Sequence, residues 1–123
     1  KERWNEAIEV YEEMETIGAL QGRGAEYYQK LGYALQKNKK YAEAIDAYLK
    51  ADTLKPDNIW NNRHLAICYR LNRNYQAALS YYKKVEEATP EDTNVIFHIG
   101  SCLAELGQYE EAANYFSNWI SSK

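Results

Sequence analysis

Residues 59–92 read IWNNRHLAICYRLNRNYQAALSYYKKVEEATPED, and this stretch decides the fold. Leu65 and Tyr69 lie four residues apart, as do Ala78 and Tyr82, so each pair shares one face of a helix. The polar run NRN between the two pairs predicts a short turn. The stretch therefore predicts two amphipathic helices joined by a tight connection.

The pattern of this stretch returns 34 residues earlier and 34 residues later. Eight columns agree in register: Tyr28, Asn62 and Ile96; Leu31, Leu65 and Ile99; Gly32, Ala66 and Gly100; Leu35, Tyr69 and Leu103; Tyr41, Tyr75 and Tyr109; Ala44, Ala78 and Ala112; Tyr48, Tyr82 and Phe116; Pro56 and Pro90. The glycine and alanine columns are expected where paired helices approach closely, and the prolines where a helix ends. Such a period indicates stacked helix pairs in which neighbours bury each other's apolar faces.

These columns resemble the tetratricopeptide repeat (TPR) family. The resemblance implies an all-α fold, a right-handed α-α superhelix or solenoid of about seven antiparallel helices. It divides a single solenoid fragment over 1–123 into the second helix of a partial repeat plus linker over 1–24, and repeats over 25–58, 59–92 and 93–123. Because the chain begins at Lys1 inside a helical pattern, it reads as a piece of a longer protein.

The final stretch, YEEAANYFSNWISSK, predicts an uncapped end. Solenoids usually finish on a helix with a polar outer face, whereas this helix carries Phe116, Trp119 and Ile120. We therefore expect this face to pack on another chain, by self-association, or on residues outside the sequence.

Composition limits the classes of function. The net charge of −3 does not favour a nucleic-acid partner, and no apolar run reaches the roughly 18 residues of a membrane span. The compartment is left open; two cysteines inside helical patterns lean towards a reducing one, such as the cytoplasm.

HLAIC at 64–68 and HIGSC at 98–102 repeat a His-x-x-x-Cys spacing that could bind a metal. A structural zinc site needs four ligands and a catalytic one usually three, and no acidic column supplies the remainder. Ala34 occupies the same column as Cys68 and Cys102, which makes it a column of small core residues. We therefore predict buried thiols, no metal and no cofactor.

In TPR domains the first helix of each pair usually lines a concave groove that binds an extended peptide or a partner's helix. Matching columns place Glu26 at the edge of this groove and Gln36 deeper along it. The predicted lining is Gln29, Tyr33, Lys37, Trp60, Arg63, His64, Ile67, Arg70, Asn94, Phe97, His98 and Ser101. Aromatic and cationic side chains are enriched at binding hot spots, and arginine pairs with carboxylates, which favours an acidic or carboxylate-bearing ligand.

One TPR subclass holds the carboxylate end of chaperone tails with a Lys/Asn/Asn/Lys/Arg set. The matching positions here are Gln29, Tyr33, His64, Asn94 and His98, so that set is essentially absent. No phosphate-binding glycine loop or nucleophile–base pair indicates an enzyme. The sequence therefore predicts a non-catalytic protein-interaction module or scaffold. The alternative is a structural spacer, or a self-associating segment, of a longer TPR protein.

Overall fold

The computed structural model describes residues 2–16 and 24–121, without the side chains of residues 2 and 14–16. This part of the chain forms only α-helices: α1 (Glu2–Thr16), α2 (Gly24–Lys37), α3 (Tyr41–Leu54), α4 (Ile59–Leu71), α5 (Tyr75–Ala88), α6 (Thr93–Glu105) and α7 (Tyr109–Ser121). Helix pairs α2–α3, α4–α5 and α6–α7 pack most extensively, and α1 packs on α2. The predicted all-α solenoid of seven helices is confirmed, while the predicted linker over residues 17–23 lies outside the described residues.

Three-residue turns join the two helices of each pair. Their middle residues, Lys39, Arg73 and Gly107, lie in one column and have positive φ angles of 63°, 65° and 81°. The amide of the next residue then bonds back into the preceding helix, as Lys40 N does to Leu35 O at 2.9 Å. The polar turns that the sequence predicted thus reverse the chain in all three repeats.

Longer connections join one pair to the next. Pro56 and Pro90 follow the ends of α3 and α5, as predicted from the proline column. The next helix is capped by a side chain: Asn58 accepts from Asn61 N at 2.8 Å, and Asp92 accepts from two amides of α6. These caps satisfy amides that have no partner within the helix, so each new pair begins at a fixed residue.

Two hydrophobic clusters run the length of the stack and meet at α4. The first joins α1 to α4 around Leu31, Tyr48 and Leu65, and the second joins α4 to α7 around Tyr82 and Ile99. The side chains of Tyr48, Leu65 and Ile99 have no exposed surface. Each pair therefore contributes one face to a core it shares with its neighbour, the arrangement expected of a repeat stack.

The glycine column marks where the paired helices touch. A Cβ atom on Gly32 would lie 2.8 Å from the ring of Tyr48, and one on Gly100 would lie 2.9 Å from the ring of Phe116. The aromatic residue belongs to the same column in both repeats. The sequence-based expectation of close approach at these glycines is confirmed.

Replacing Gly32 with leucine is expected to lower the free energy of unfolding by about 2–3 kcal/mol, because a branched side chain must displace the buried Tyr48 ring. Lys30→Leu, at a position on the same helix with a 59% exposed side chain, is the control and should change it by less than about 0.5 kcal/mol. Urea unfolding followed by circular dichroism measures both. Equal effects of the two substitutions would contradict close packing at Gly32.

Among the described helices, none is both long enough and apolar enough to cross a membrane.

Candidate ligand-binding groove

An open pocket of about 630 Å³ lies where α1, α2 and α4 meet. We call it the aromatic pocket, and its lining is Trp4, Ala7, Tyr11, Glu26, Gln29, Lys30, Tyr33, Ala34, Lys37, Trp60 and His64. Its volume falls in the range of roughly 300–1,000 Å³ typical of ligand sites. The first helices α2 and α4 form its floor because they contact each other directly across the repeat boundary.

Tyr33 is the central ring of the aromatic pocket. Its ring centroid lies 5.8 Å from that of Trp4 in an edge-to-face arrangement and 6.2 Å from that of Trp60. His64 lies 5.7 Å from Tyr33 and 4.1 Å from Trp60. These separations are typical of mutually stabilising aromatic rings, so the lining is held in place before any ligand arrives. Trp60 nevertheless remains 41% exposed.

Beneath the rings, Gln36 joins two repeats through one oxygen. Tyr48 Oη donates to Gln36 Oε1 at 2.7 Å, and His64 Nδ1 lies 3.0 Å from the same atom. Because an amide oxygen only accepts, the hydrogen of neutral His64 belongs on Nδ1. The network orients the imidazole and leaves Nε2 as its accepting nitrogen.

Burial lowers the pKa of His64 to about 4, and the charges of Lys37 and Arg63 lower it further in the same direction. The unfolded chain has a histidine pKa of about 6.5. Between these values the unfolded state binds the proton and the folded state does not. Stability is therefore complete above about pH 6.5 and declines as the pH falls towards about 4.

We expect the His64 ring proton resonances to titrate with a midpoint below pH 5. A pH series of NMR spectra from pH 8 to pH 4 measures the midpoint, and a His64→Gln variant assigns the resonances. The same variant should show a shallower loss of stability between pH 6.5 and pH 4. A midpoint near 6.5 would contradict the buried, neutral imidazole.

The same columns carry different chemistry one repeat later. Arg70 replaces Gln36, and its Nε donates to Tyr82 Oη at 2.9 Å. His98 stacks on Tyr82 with a centroid distance of 5.5 Å, but its buried Nδ1 has no hydrogen-bond partner. The pKa of His98 is lowered by burial and by the charge of Arg70, against a smaller opposite effect of Asp92. Both histidines border the first helices, as predicted.

Arg63 is tied into the scaffold. Its guanidinium donates to the Asp92 carboxylate at 2.6 Å, and Asp92 is also the cap of α6. Partial burial raises the pKa of Asp92, but the hydrogen bonds from Arg63 and from two α6 amides outweigh it, and the net pKa is lowered. This ion pair fixes the entry of the third repeat against α4.

The predicted groove residues thus separate into two groups. The aromatic pocket brings together Gln29, Tyr33, Lys37, Trp60 and His64. The other predicted residues, which lie on α4 and α6 outside that pocket, are Arg63, Ile67, Arg70, Asn94, Phe97, His98 and Ser101. The sequence did not identify Trp4, Ala7 and Tyr11 as lining residues, although their spacing of three and four on α1 marks one helix face.

Phe97 belongs to a separate aromatic cluster at the far end of the stack. Its ring centroid lies 4.9 Å from Trp119 and 5.7 Å from Phe116. Two of the three apolar residues expected on an uncovered final helix therefore contact α6 within the same chain. Ile120 and Tyr109 are 65% and 71% exposed.

Cys68 and Cys102 are completely buried and free, which confirms the prediction of buried thiols. Burial raises the pKa of Cys68 to about 12 and that of Cys102 to about 11, so both thiols are protonated and unreactive near neutral pH. Within residues 2–16 and 24–121, no three His, Cys, Asp or Glu side chains come together as a metal site would require.

Stacked antiparallel helix pairs with a pocket along their first helices define an α-α solenoid. A family model described as tetratricopeptide repeat matches residues 25–58, and one described as anaphase-promoting complex, cyclosome, subunit 3 matches residues 54–118, more than half of the chain. The chain belongs to the tetratricopeptide repeat family, with residues 54–118 of the type that the subunit 3 model describes. No curated protein sequence matches the chain.

Solved structures of MamA share the fold. MamA MSR-1 C2 is 27% identical with a TM-score of 0.83, and the match covers 98% of this chain and 68% of that one. MamA 41-end from Desulfovibrio magneticus RS-1 is 16% identical with a TM-score of 0.83, covering 98% and 66%. The chain thus spans about two thirds of the length of these MamA structures.

A peptide complex has the same fold. The first TPR of Spaghetti (RPAP3), bound to the HSP90 peptide SRMEEVD, is 22% identical with a TM-score of 0.71, and the match covers 85% of this chain and 82% of that one. At this identity the likeness concerns the fold alone.

Proposed function

We propose that the chain is a non-catalytic protein-interaction module that binds a peptide or a partner's helix along its first helices. The tetratricopeptide repeat fold is generally a non-catalytic interaction fold. The observation that carries the proposal is the open aromatic pocket, in which Trp60 stays 41% exposed beside rings already held in place. Exposed tryptophan in a pre-formed concave site is typical of a binding hot spot.

The peptide-bound relative supports a peptide as the class of ligand, because that TPR domain holds SRMEEVD in its structure. The mode of binding must differ here. The clamp residues that the chaperone-binding subclass uses are replaced by Gln29, Tyr33, His64, Asn94 and His98. Neither nucleic acid nor a cofactor is part of the proposal.

A random peptide library displayed on phage tests the proposal. We expect the chain to select binders, and Tyr33→Ala to lose most of them because it removes the central ring of the pocket. Tyr109→Ala, the same change at an exposed tyrosine of α7, is the matched control and should retain them. Binders retained equally by both variants, or no binders at all, would overturn the proposal.

The second candidate is a spacer or self-associating segment, favoured by the exposed Ile120 and Tyr109 on α7. It predicts a concentration-dependent increase in sedimentation coefficient that an Ile120→Glu variant abolishes. The groove proposal predicts peptide binding that this same variant leaves unchanged. Sedimentation velocity and a binding assay on one variant therefore separate the two candidates.

A further inference from the structure

Charge is distributed unequally between the two helices of each pair. The first helices α2, α4 and α6 carry four Lys and Arg residues against two acidic residues. The second helices α1, α3, α5 and α7 carry four against thirteen. The first-helix surface is therefore electropositive although the whole chain has a net charge of −3, and it favours an anionic ligand.

Internal partners occupy some of these first-helix cations. Arg63 is paired with Asp92 at 2.6 Å, and Lys30 with Glu26 at 3.3 Å. Among the described ion pairs, none includes Lys37 or Arg70. Arg70 uses Nε on Tyr82 Oη, which fixes its guanidinium and leaves its two terminal nitrogens as donors.

Lys37 stands at the rim of the aromatic pocket. Its Nζ lies 5.2 Å from the centroid of the Tyr33 ring, and its side chain lies at the end of α2, where the helix dipole favours a cation. An arriving carboxylate would meet this charge beside an apolar cavity. Lys37 therefore links a cationic subsite to the rings.

The same geometry disfavours a cationic ligand. An aromatic cage that binds a lysine or methylated lysine needs its ring faces and a carboxylate available. Here the ring of Tyr33 already faces Lys37, and Glu26, the only carboxylate in the pocket lining, faces Lys30. A basic side chain would meet two like charges instead.

The pocket itself suits a large aromatic side chain. Its walls are the rings of Trp4, Tyr33 and Trp60, and its volume of about 630 Å³ leaves room for one ring with adjoining backbone. His64 adds an uncharged surface and one accepting nitrogen. A polar aromatic tip, such as an indole N–H, can donate to that nitrogen.

Resting on the proposed groove function, we infer that the ligand is an acidic peptide segment with one bulky aromatic anchor. The anchor ring enters the aromatic pocket between Tyr33 and Trp60, and flanking carboxylates pair with Lys37 and Arg70. The anchor supplies most of the affinity through burial, while the carboxylates supply specificity and rate of association.

Three fluorescein-labelled nine-residue peptides test this inference by fluorescence anisotropy. One carries a central tryptophan flanked by glutamates, the second has alanine at the centre, and the third has lysine flanks. We expect the first peptide to bind at least tenfold more tightly than either of the others. Equal or tighter binding of the lysine-flanked or the alanine-centred peptide would overturn the inference.

A matched pair of variants locates the charge effect. Lys37→Glu should weaken the acidic peptide at least fivefold. Lys50→Glu should leave it unchanged, because Lys50 Nζ lies 5.4 Å from the Tyr28 ring in a similar cation–π contact but on the second helix α3. Equal effects of the two variants would overturn the assignment of Lys37.

The library selection separates failure of this inference from failure of the groove function. Binders that depend on Tyr33 but are neither acidic nor aromatic would remove the inference and leave the groove function standing. The absence of any Tyr33-dependent binder would remove both.

Discussion

Replacing Tyr48 with alanine is expected to lower the free energy of unfolding by about 3–5 kcal/mol, the range for removing a buried aromatic side chain. Tyr48 has no exposed surface, and its ring fills the space that Gly32 leaves open. Its hydroxyl donates to Gln36 at 2.7 Å, and its backbone carbonyl accepts from Asn61 Nδ2 at 2.9 Å. The substitution therefore removes the residue around which the first and second repeats join.

Urea unfolding followed by circular dichroism measures this loss. Tyr109→Ala makes the same chemical change at a tyrosine that is 71% exposed, and should cost less than about 0.5 kcal/mol. Tyr48→Phe keeps the ring and removes only the hydroxyl, so it should cost about 1 kcal/mol. Similar midpoints for Tyr48→Ala and Tyr109→Ala would contradict the central position of Tyr48 in the core.

The second large effect concerns binding. Trp60→Ala is expected to weaken a groove-bound peptide by about 30-fold or more, because a hot-spot tryptophan contributes about 2 kcal/mol or more and each 1.4 kcal/mol is tenfold. The indole is both exposed and held by contacts with Tyr33 and His64, so a ligand can bury it without first ordering it.

Ile59→Ala is the matched control for Trp60→Ala. The two residues are adjacent and equally exposed, at 42% and 41%, but Ile59 lines a different depression on the surface. Fluorescence anisotropy with a selected peptide should give a change of less than about threefold for Ile59→Ala. Comparable losses for the two variants would contradict a binding site centred on the aromatic pocket.

The repeat period predicted the backbone well, because each column must satisfy the same packing geometry in every copy. The turns at Lys39, Arg73 and Gly107 and the close approach at Gly32 follow directly from that register. The positions of Tyr33 and Trp60 beside each other follow from the same reasoning, since they lie on neighbouring first helices.

Side-chain partners could not be predicted from columns alone. Arg63 pairs with Asp92, which lies 29 residues away in a connection between repeats whose path the period does not specify. Gln36 and Arg70 occupy one column yet make different hydrogen bonds, because one accepts from a tyrosine hydroxyl and the other donates to it. Charge inversion at Arg63 would therefore test the scaffold rather than the ligand site.

The far end of the stack also depends on side-chain direction. Phe116 and Trp119 share α7 with Ile120, but their rings contact Phe97, whereas Ile120 remains exposed. Hydrophobic residues on a final helix indicate an apolar face, and only the rotamers decide how much of it α6 covers. The aromatic pocket, by contrast, keeps exposed rings between α1, α2 and α4.

The three tryptophans allow the most direct test of the central claim, because two line the aromatic pocket and one lies at the other end of the stack. The measurement is a titration of the ¹⁵N-labelled chain with a library-selected peptide, following the three indole N–H resonances. The groove account predicts large shifts for Trp4 and Trp60 and little change for Trp119. Shifts confined to Trp119, or no indole shift on saturation with a bound peptide, would contradict it.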